Sequence, residues 1–165
     1  MVIQPKVRGF ICTTAHPEGC DYAVNQQVDY VRSQPRFYGP QRALVLGAST
    51  GYGLASRIGL AFGSHTKTIG VSFERGASGK RTGSAGWYNT AAFEKACNKH
   101  DIYAKSIMGD AFSEEISSDV LDLVRTDFGQ IDCLVYSVAA PRRKDPLTGK
   151  SYSSVLKPIG NDYIN

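Results

Sequence analysis

Three glycines, a serine and a threonine fall within the short run Gly47-Ala-Ser-Thr-Gly51-Tyr-Gly53, directly after the apolar stretch Ala43-Leu-Val-Leu46. A strand that runs straight into a glycine-rich turn opening a helix aims free N–H groups and the positive end of a helix dipole at one point. That point suits a pyrophosphate. Gly47 allows the tight turn, Gly51 and Gly53 keep side chains out of the phosphate path, and Ser49 or Thr50 can donate a hydroxyl. The spacing is Gly-x3-Gly-x-Gly rather than Gly-x-Gly-x-x-Gly. A glycine triplet also marks ordinary turns, but at the end of the first strand of a βαβ unit it indicates a dinucleotide site.

Glu74 lies 21 residues beyond Gly53, at the end of the apolar stretch Thr68-Ile-Gly-Val-Ser-Phe73. A carboxylate there accepts hydrogen bonds from the adenosine ribose and disfavours a 2′-phosphate. Like charges about 5 Å apart at an effective dielectric near 20 cost about 3 kcal/mol, on the order of a hundredfold in affinity. NADH is therefore expected over NADPH. The adjacent Arg75 works in the opposite sense, and Glu74 read alone is also an ordinary solvated strand-end charge. Asp110, after the third strand-like run, can accept from the adenine amino group or simply cap the next turn. The fourth run ends in Ser137-Val-Ala-Ala140, whose small side chains let a ribose approach the backbone.

These residues need a frame. Apolar and helical stretches alternate from residue 41: Ala43–Leu46, Gly53–Phe62, Thr68–Phe73, Thr90–Lys99, Tyr103–Ile107, Ser113–Phe128 and Ile131–Ser137. This βαβαβαβ order implies an α/β fold, a doubly wound parallel sheet with helices on both faces. In the last helix Ser113 caps, Glu114 and Glu115 favour the positive end, Val120, Leu121 and Val124 form the apolar stripe, and Gly129 stops it. The turn Tyr38-Gly-Pro40 separates residues 1–40 as an N-terminal extension of a main domain spanning 41–165. In that extension Val2–Cys12 suggests one or two short strands. Gly19–Ser33 suggests a short helix carrying Tyr22, Val28 and Val31.

A chain of 165 residues, 42% hydrophobic and 21% charged, can bury a real core. No apolar run approaches the roughly 20 residues needed to cross a bilayer, and Gln4, Lys6 and Arg8 interrupt the N-terminus where a signal peptide needs an apolar stretch. No membrane association and a cytoplasmic location follow as expectations. The four cysteines (Cys12, Cys20, Cys97, Cys133) lack metal or disulfide spacing and read as free thiols. His16 and Cys20 share a helical spacing without a second ligand pair, so no metal is expected. The net charge of +4 is scattered except at Arg142-Arg-Lys144, read as solvated loop or as a contact for an anionic substrate, and no nucleic-acid surface is expected.

With these residues assembled, the sequence resembles the FabV-type enoyl-ACP reductases and trans-2-enoyl-CoA reductases, large relatives of the short-chain dehydrogenase/reductases. The likeness extends over essentially the whole chain. It rests on Pro5-Lys-Val-Arg-Gly-Phe-Ile-Cys-Thr-Thr-Ala-His-Pro17, on Gly47-Ala-Ser-Thr-Gly-Tyr-Gly53, on Thr82-Gly-Ser-Ala-Gly-Trp-Tyr-Asn89 and on Ala140-Pro-Arg-Arg-Lys144. The resemblance implies a Rossmann-like fold that is incomplete here, and NADH contacts from Gly47, Ala48, Ser49, Thr50, Gly51, Tyr52, Phe73, Glu74, Asp110, Ala111, Val138 and Ala139. It also implies reduction of the 2,3 double bond of an enoyl-CoA or enoyl-acyl carrier protein in fatty acid synthesis, by a monomer at full length.

In that family a tyrosine and a lysine, eight residues between them, stabilise the enolate and complete its protonation. No such pair occurs here. Tyr136 and Lys144 are one residue too close, and Tyr152 and Lys157 fall in a polar loop before the catalytic segment. The catalytic pair is expected beyond residue 165, which leaves the fourth strand as an open edge. A non-catalytic dinucleotide-binding module and an inactive truncated remnant are the alternative readings.

Overall fold

The computed structural model describes residues 4–9, 11–140, 142–154 and 160; Val2, Phe10, Pro141, Lys157 and the end Tyr163-Ile-Asn165 lie outside the described residues. The extension begins with two short strands, β1 (Val7–Arg8) and β2 (Ile11–Cys12), paired antiparallel. It continues into α1 (Pro17–Ser33). Pro17 suits a helix start because its missing N–H would have no partner there, and His16 caps by accepting from the Gly19 amide at 3.2 Å. The helix is longer than expected and its inward face differs. Val24 and Val28 are buried, whereas Tyr22 is exposed. Tyr22 lies on the polar face of the helix.

Four strands form the central parallel sheet: β3 (Arg42–Leu46), β4 (Lys67–Ser72), β5 (Ala104–Met108) and β6 (Cys133–Tyr136), in the order β5-β4-β3-β6. Their connections are α2 (Gly51–Ser64), α3 (Ala85–Lys99) and α4 (Glu114–Asp127). The alternation and order are those expected of a doubly wound sheet. Register pairs Val45 with Gly70 and Val135, and Leu44 with Ile69 and Leu134, so equivalent residues share a face.

On one face sit α2 and α3, with α1 packed against both. Their cluster includes Val24, Val28, Ile58, Phe62, Phe93 and Ile102. Small or polar sheet residues face this layer, and into the space enters Arg57, which is fully buried. Its guanidinium donates to Thr68 Oγ1 (3.1 Å), Ser106 Oγ (2.7 Å) and the Lys105 carbonyl (2.7 Å), and lies 4.5 Å from the centre of the Phe93 ring. A Cβ on Gly70 would stand 2.4 Å from this group, so the glycine makes room for it. Burial pulls the Arg57 pKa down to about 10, still high enough for the group to be charged at neutral pH.

On the opposite face Leu44, Ile69 and Val71 meet Val120 of α4 and Phe128. Ser113 accepts from the Ile116 amide as the expected cap, and Gly129 leaves the helix with φ +73°. The stripe differs from expectation: Ile116, Val120, Leu123 and Val124 face the sheet, and Leu121 is exposed. Arg142-Arg-Lys144 is a strand rather than a loop. It forms β7 (Arg142–Lys144), antiparallel to β8 (Ser151–Ser153), with Tyr152 in β8 and Arg143 over the Phe112 ring at 4.1 Å. The Asp145 carboxylate, accepting from the amides of Leu147 and Thr148, folds the connecting turn. The four cysteines are free, and burial pushes the Cys97 thiol up to about 12.

Candidate dinucleotide site at the strand ends

The carboxyl ends of all four parallel strands carry the residues singled out in the sequence. β3 passes through Gly47, at φ +82°, into a turn whose amides at Gly47 and Ala48 both donate to the Val71 carbonyl (2.8 and 3.1 Å). These two N–H groups are therefore taken up within the fold. Thr50 caps α2 in extended conformation without a side-chain capping bond, and Leu54 is the first amide to bond back, to the Thr50 carbonyl. The amides of Gly51, Tyr52 and Gly53 are the first-turn donors that a helix leaves without an internal partner.

Gly47 and Gly51 serve the turn and the open path as expected, and Gly53 does not. A Cβ on Gly47 would stand 2.2 Å from the Ser137 carbonyl oxygen, so this residue lets the turn lie against the end of β6. A Cβ on Gly53 would stand 2.0 Å from the Gly47 carbonyl oxygen, so Gly53 serves the packing of helix on turn rather than the phosphate path. Gly51 alone has open space in front of it, with φ +53°. It is a cradle that a side chain would fill.

Ser49 is also corrected in role. It is buried, and its hydroxyl donates to Glu74 Oε1 at 2.5 Å instead of facing outward. The other carboxylate oxygen, Oε2, accepts from the Ser84 hydroxyl. Glu74 is thus held between the glycine turn and the start of α3, half-buried, with the exposed Phe73 beside it. Asp110 is exposed and its Oδ1 accepts from the Phe112 amide, the turn-capping arrangement. Ala111 packs against the α4-side core. After β6, the Ser137 amide donates to the Leu46 carbonyl, and the chain continues through a half-buried Val138 to an exposed Ala139.

Two family models divide the chain between them. The NAD(P)H-binding domain of trans-2-enoyl-CoA reductase matches residues 2–79, and the trans-2-enoyl-CoA reductase catalytic region matches residues 81–165. The chain belongs to the trans-2-enoyl-CoA reductase family. Across its full length it is 60% identical to an enoyl-[acyl-carrier-protein] reductase [NADH] of Coxiella burnetii, of which it covers 41%. It is 55% identical to the trans-2-enoyl-CoA reductase [NADH] of Ruminiclostridium cellulolyticum, covering all of this chain and 42% of that one. The chain therefore spans about two-fifths of the length of the curated relatives it matches.

Among solved structures it superposes on Clostridium acetobutulicum trans-2-enoyl-CoA reductase in complex with NADH at a TM-score of 0.92, with 44% identity over 99% of this chain and 41% of that one. The Treponema denticola enzyme in complex with NAD gives 0.87 at 45% identity, over 97% of this chain and 42% of that one. L-Sorbose reductase of Gluconobacter frateurii, at 21% identity and a TM-score of 0.50 over 66% of this chain and 36% of that one, shares the fold alone.

The seam between the two family models falls in the loop joining β4 to α3, and the residues just beyond it are those that periodicity missed. In Thr82–Asn89, Thr82 Oγ1 accepts from the Ala15 amide (3.4 Å) and the Gly83 amide donates to the Tyr88 hydroxyl (2.9 Å). Asn89 donates to the Ser49 carbonyl at 3.1 Å. The expected helix Thr90–Lys99 starts already at Ala85, so this segment is its first turn. Two glycines hid a helix start that Ser84 marks. In this family member the two segments that pattern reasoning left unexplained meet each other, at Ala15 and Thr82.

Proposed function

We propose that this chain forms the NADH-binding part of a reductase that saturates the 2,3 double bond of trans-2-enoyl thioesters, carried on coenzyme A or on acyl carrier protein. The observation that carries the reading is the pairing of two features at adjacent strand ends. The free first-turn amides of α2, fronted by the open Gly51, suit a pyrophosphate, and the fixed Glu74 carboxylate suits the adenosine ribose. The family model over residues 2–79, an NAD(P)H-binding domain, and the solved relative in complex with NADH support the same ligand.

In this reading Gly51, Tyr52 and Thr50 hold the pyrophosphate, while Gly47, Ala48 and Ser49 shape the turn behind it. Phe73 and Glu74 meet the adenosine ribose, Asp110 and Ala111 border the adenine, and Val138 with Ala139 line the second ribose. The nicotinamide, when bound, supplies the hydride. The chain's residues place it at the carboxyl end of the sheet and select against a 2′-phosphate.

Titration of the chain with NADH and NADPH, followed by nicotinamide fluorescence, tests the reading. Saturable binding that favours NADH by on the order of a hundredfold is expected, with the preference lost in Glu74→Ala. A folded chain that binds neither dinucleotide overturns it.

A further inference from the structure

Ser84 occupies the N-cap position of α3, where a serine hydroxyl ordinarily accepts from an amide of the first turn. Here its side chain makes no capping bond. The hydroxyl instead donates to Glu74 Oε2 while accepting from the Arg75 amide at 3.1 Å. Its own amide donates to the Arg75 carbonyl at 2.9 Å, closing the loop between them. Ser49 holds the other carboxylate oxygen from the opposite side. Two residues further on, in the first turn of α3, Gly86 presses directly on the carboxylate, since a Cβ there would stand 2.0 Å from Glu74 Oε1 and 2.7 Å from Ser49 Cβ. Asn89, one turn on, ties α3 to the Ser49 carbonyl.

Three independent features therefore fix one side chain: a hydroxyl diverted from its usual capping role, a second buried hydroxyl, and a glycine that leaves space for nothing larger. We infer that Ser84 and Gly86 are positioning residues for dinucleotide choice, acting through Glu74; this rests on the NADH-binding reading above. A glutamate at a strand end has several rotamers, and a mobile one swings aside to admit a 2′-phosphate toward the neighbouring Arg75. Held at both oxygens, it keeps its charge where the phosphate would lie and its remaining lone pairs toward the ribose hydroxyls, so the discrimination is built in before the ligand arrives. The start of α3 thereby becomes part of the specificity apparatus, although none of its residues was assigned a cofactor contact.

The test measures dissociation constants of NADH and NADPH for the wild-type chain and for Ser84→Ala, Ser84→Thr, Gly86→Ala, Glu74→Ala and the double variant Ser84→Ala/Glu74→Ala, with circular dichroism to check folding. Ser84→Ala is expected to cut the NADH over NADPH preference about tenfold, Gly86→Ala to act in the same direction by displacing the carboxylate, and Ser84→Thr, which retains a hydroxyl, to keep most of the preference. Because Ser84 acts through Glu74, the double variant should show the same preference as Glu74→Ala alone. A merely structural Ser84 would weaken both dinucleotides alike and leave their ratio unchanged. That outcome in folded Ser84→Ala and Gly86→Ala, or a double variant whose ratio changes by the product of the single effects, overturns the inference. Failure of the wild-type chain to bind either dinucleotide is the separate result that removes the NADH reading, and this inference with it.

Discussion

On one side of the parallel sheet, α2 and α3 cover the strands and are themselves covered by α1; on the other, α4 alone meets Leu44, Ile69 and Val71. Leu134 and Tyr136 of β6, which share the α4 face with Leu44 and Leu46, stand 57% and 61% exposed. The better-covered side carries the start of α2 and the start of α3, and so holds both walls around Glu74. After β6, the Ser137 amide ties the chain to the end of β3, and Val138 and Ala139 follow. On the proposed reading, the half that would meet adenosine is pre-organised by a deep core, while the half that would lead toward the nicotinamide has less packed around it among the described residues. The Glu74 carboxylate, held at both oxygens, is the fixed group that the proposed charge discrimination requires.

The largest expected effect compares the two sides directly. Phe93 is fully buried among α1, α2 and α3, edge-on to Phe62 and beneath Arg57. Phe93→Ala should cost about 3–5 kcal/mol through lost burial and a cavity, and more if the buried guanidinium loses its place. Leu121→Ala, on the exposed part of α4, should stay within about 0.5 kcal/mol. Urea denaturation measures both. Equal costs would mean that the two sides are packed alike.

A second effect, smaller than the first, is confined to the sparser side and depends on pH. Asp127, at the end of α4, has its carboxyl held below the usual value of 3.8 by the hydrogen bonds of Lys105 and then Tyr103. Asp132 is held below it by the amides of Gln41 and Arg42, which it accepts at 2.9 and 2.8 Å, joining the start of β6 to the start of β3. A depressed carboxylate value means stability that is fully present above the unfolded value and is lost as pH falls through the folded one. Asp132→Ala should therefore lower the melting temperature at pH 6, and the gap from wild type should close as pH falls below 3.8. A gap that persists unchanged at pH 2 would separate this contact from the acid response.

The order of strands and the position of the nucleotide turn were legible because they depend on local chemistry: continuous apolar runs, glycines and a strand-end acid. Tyr22 and Leu121 were misread for a different reason. Leu121 sits three residues from the partly buried Val124 and Tyr22 only two from the buried Val24, and only the direction from which neighbours approach decides which side chains are covered. Ser49 was recognised as polar and well placed, yet its partner, Glu74, is 25 residues away. The role of Gly53 depended on the carbonyl of Gly47, and that of Gly86 on a carboxylate from another strand. A sequence shows that a glycine is there; what presses against it is a property of the fold.

A small effect on stability, with a larger one on association, should come from β6. Among the described residues β6 pairs with β3 on one side only, so its other edge presents backbone donors and acceptors beside two exposed apolar side chains. An edge of that kind recruits another strand. Replacing Leu134 and Tyr136 together by threonine keeps the β preference of the strand and removes little buried area, so the unfolding free energy should change by no more than about 0.5 kcal/mol per site. Self-association should nevertheless fall, because the apolar surface that rewards edge pairing is gone. Sedimentation velocity over a range of chain concentrations separates the two outcomes. Association that weakens in the double variant while stability holds locates the exposed surface on the α4 face. Association that continues unchanged would move it elsewhere and leave the two faces less different than their packing implies.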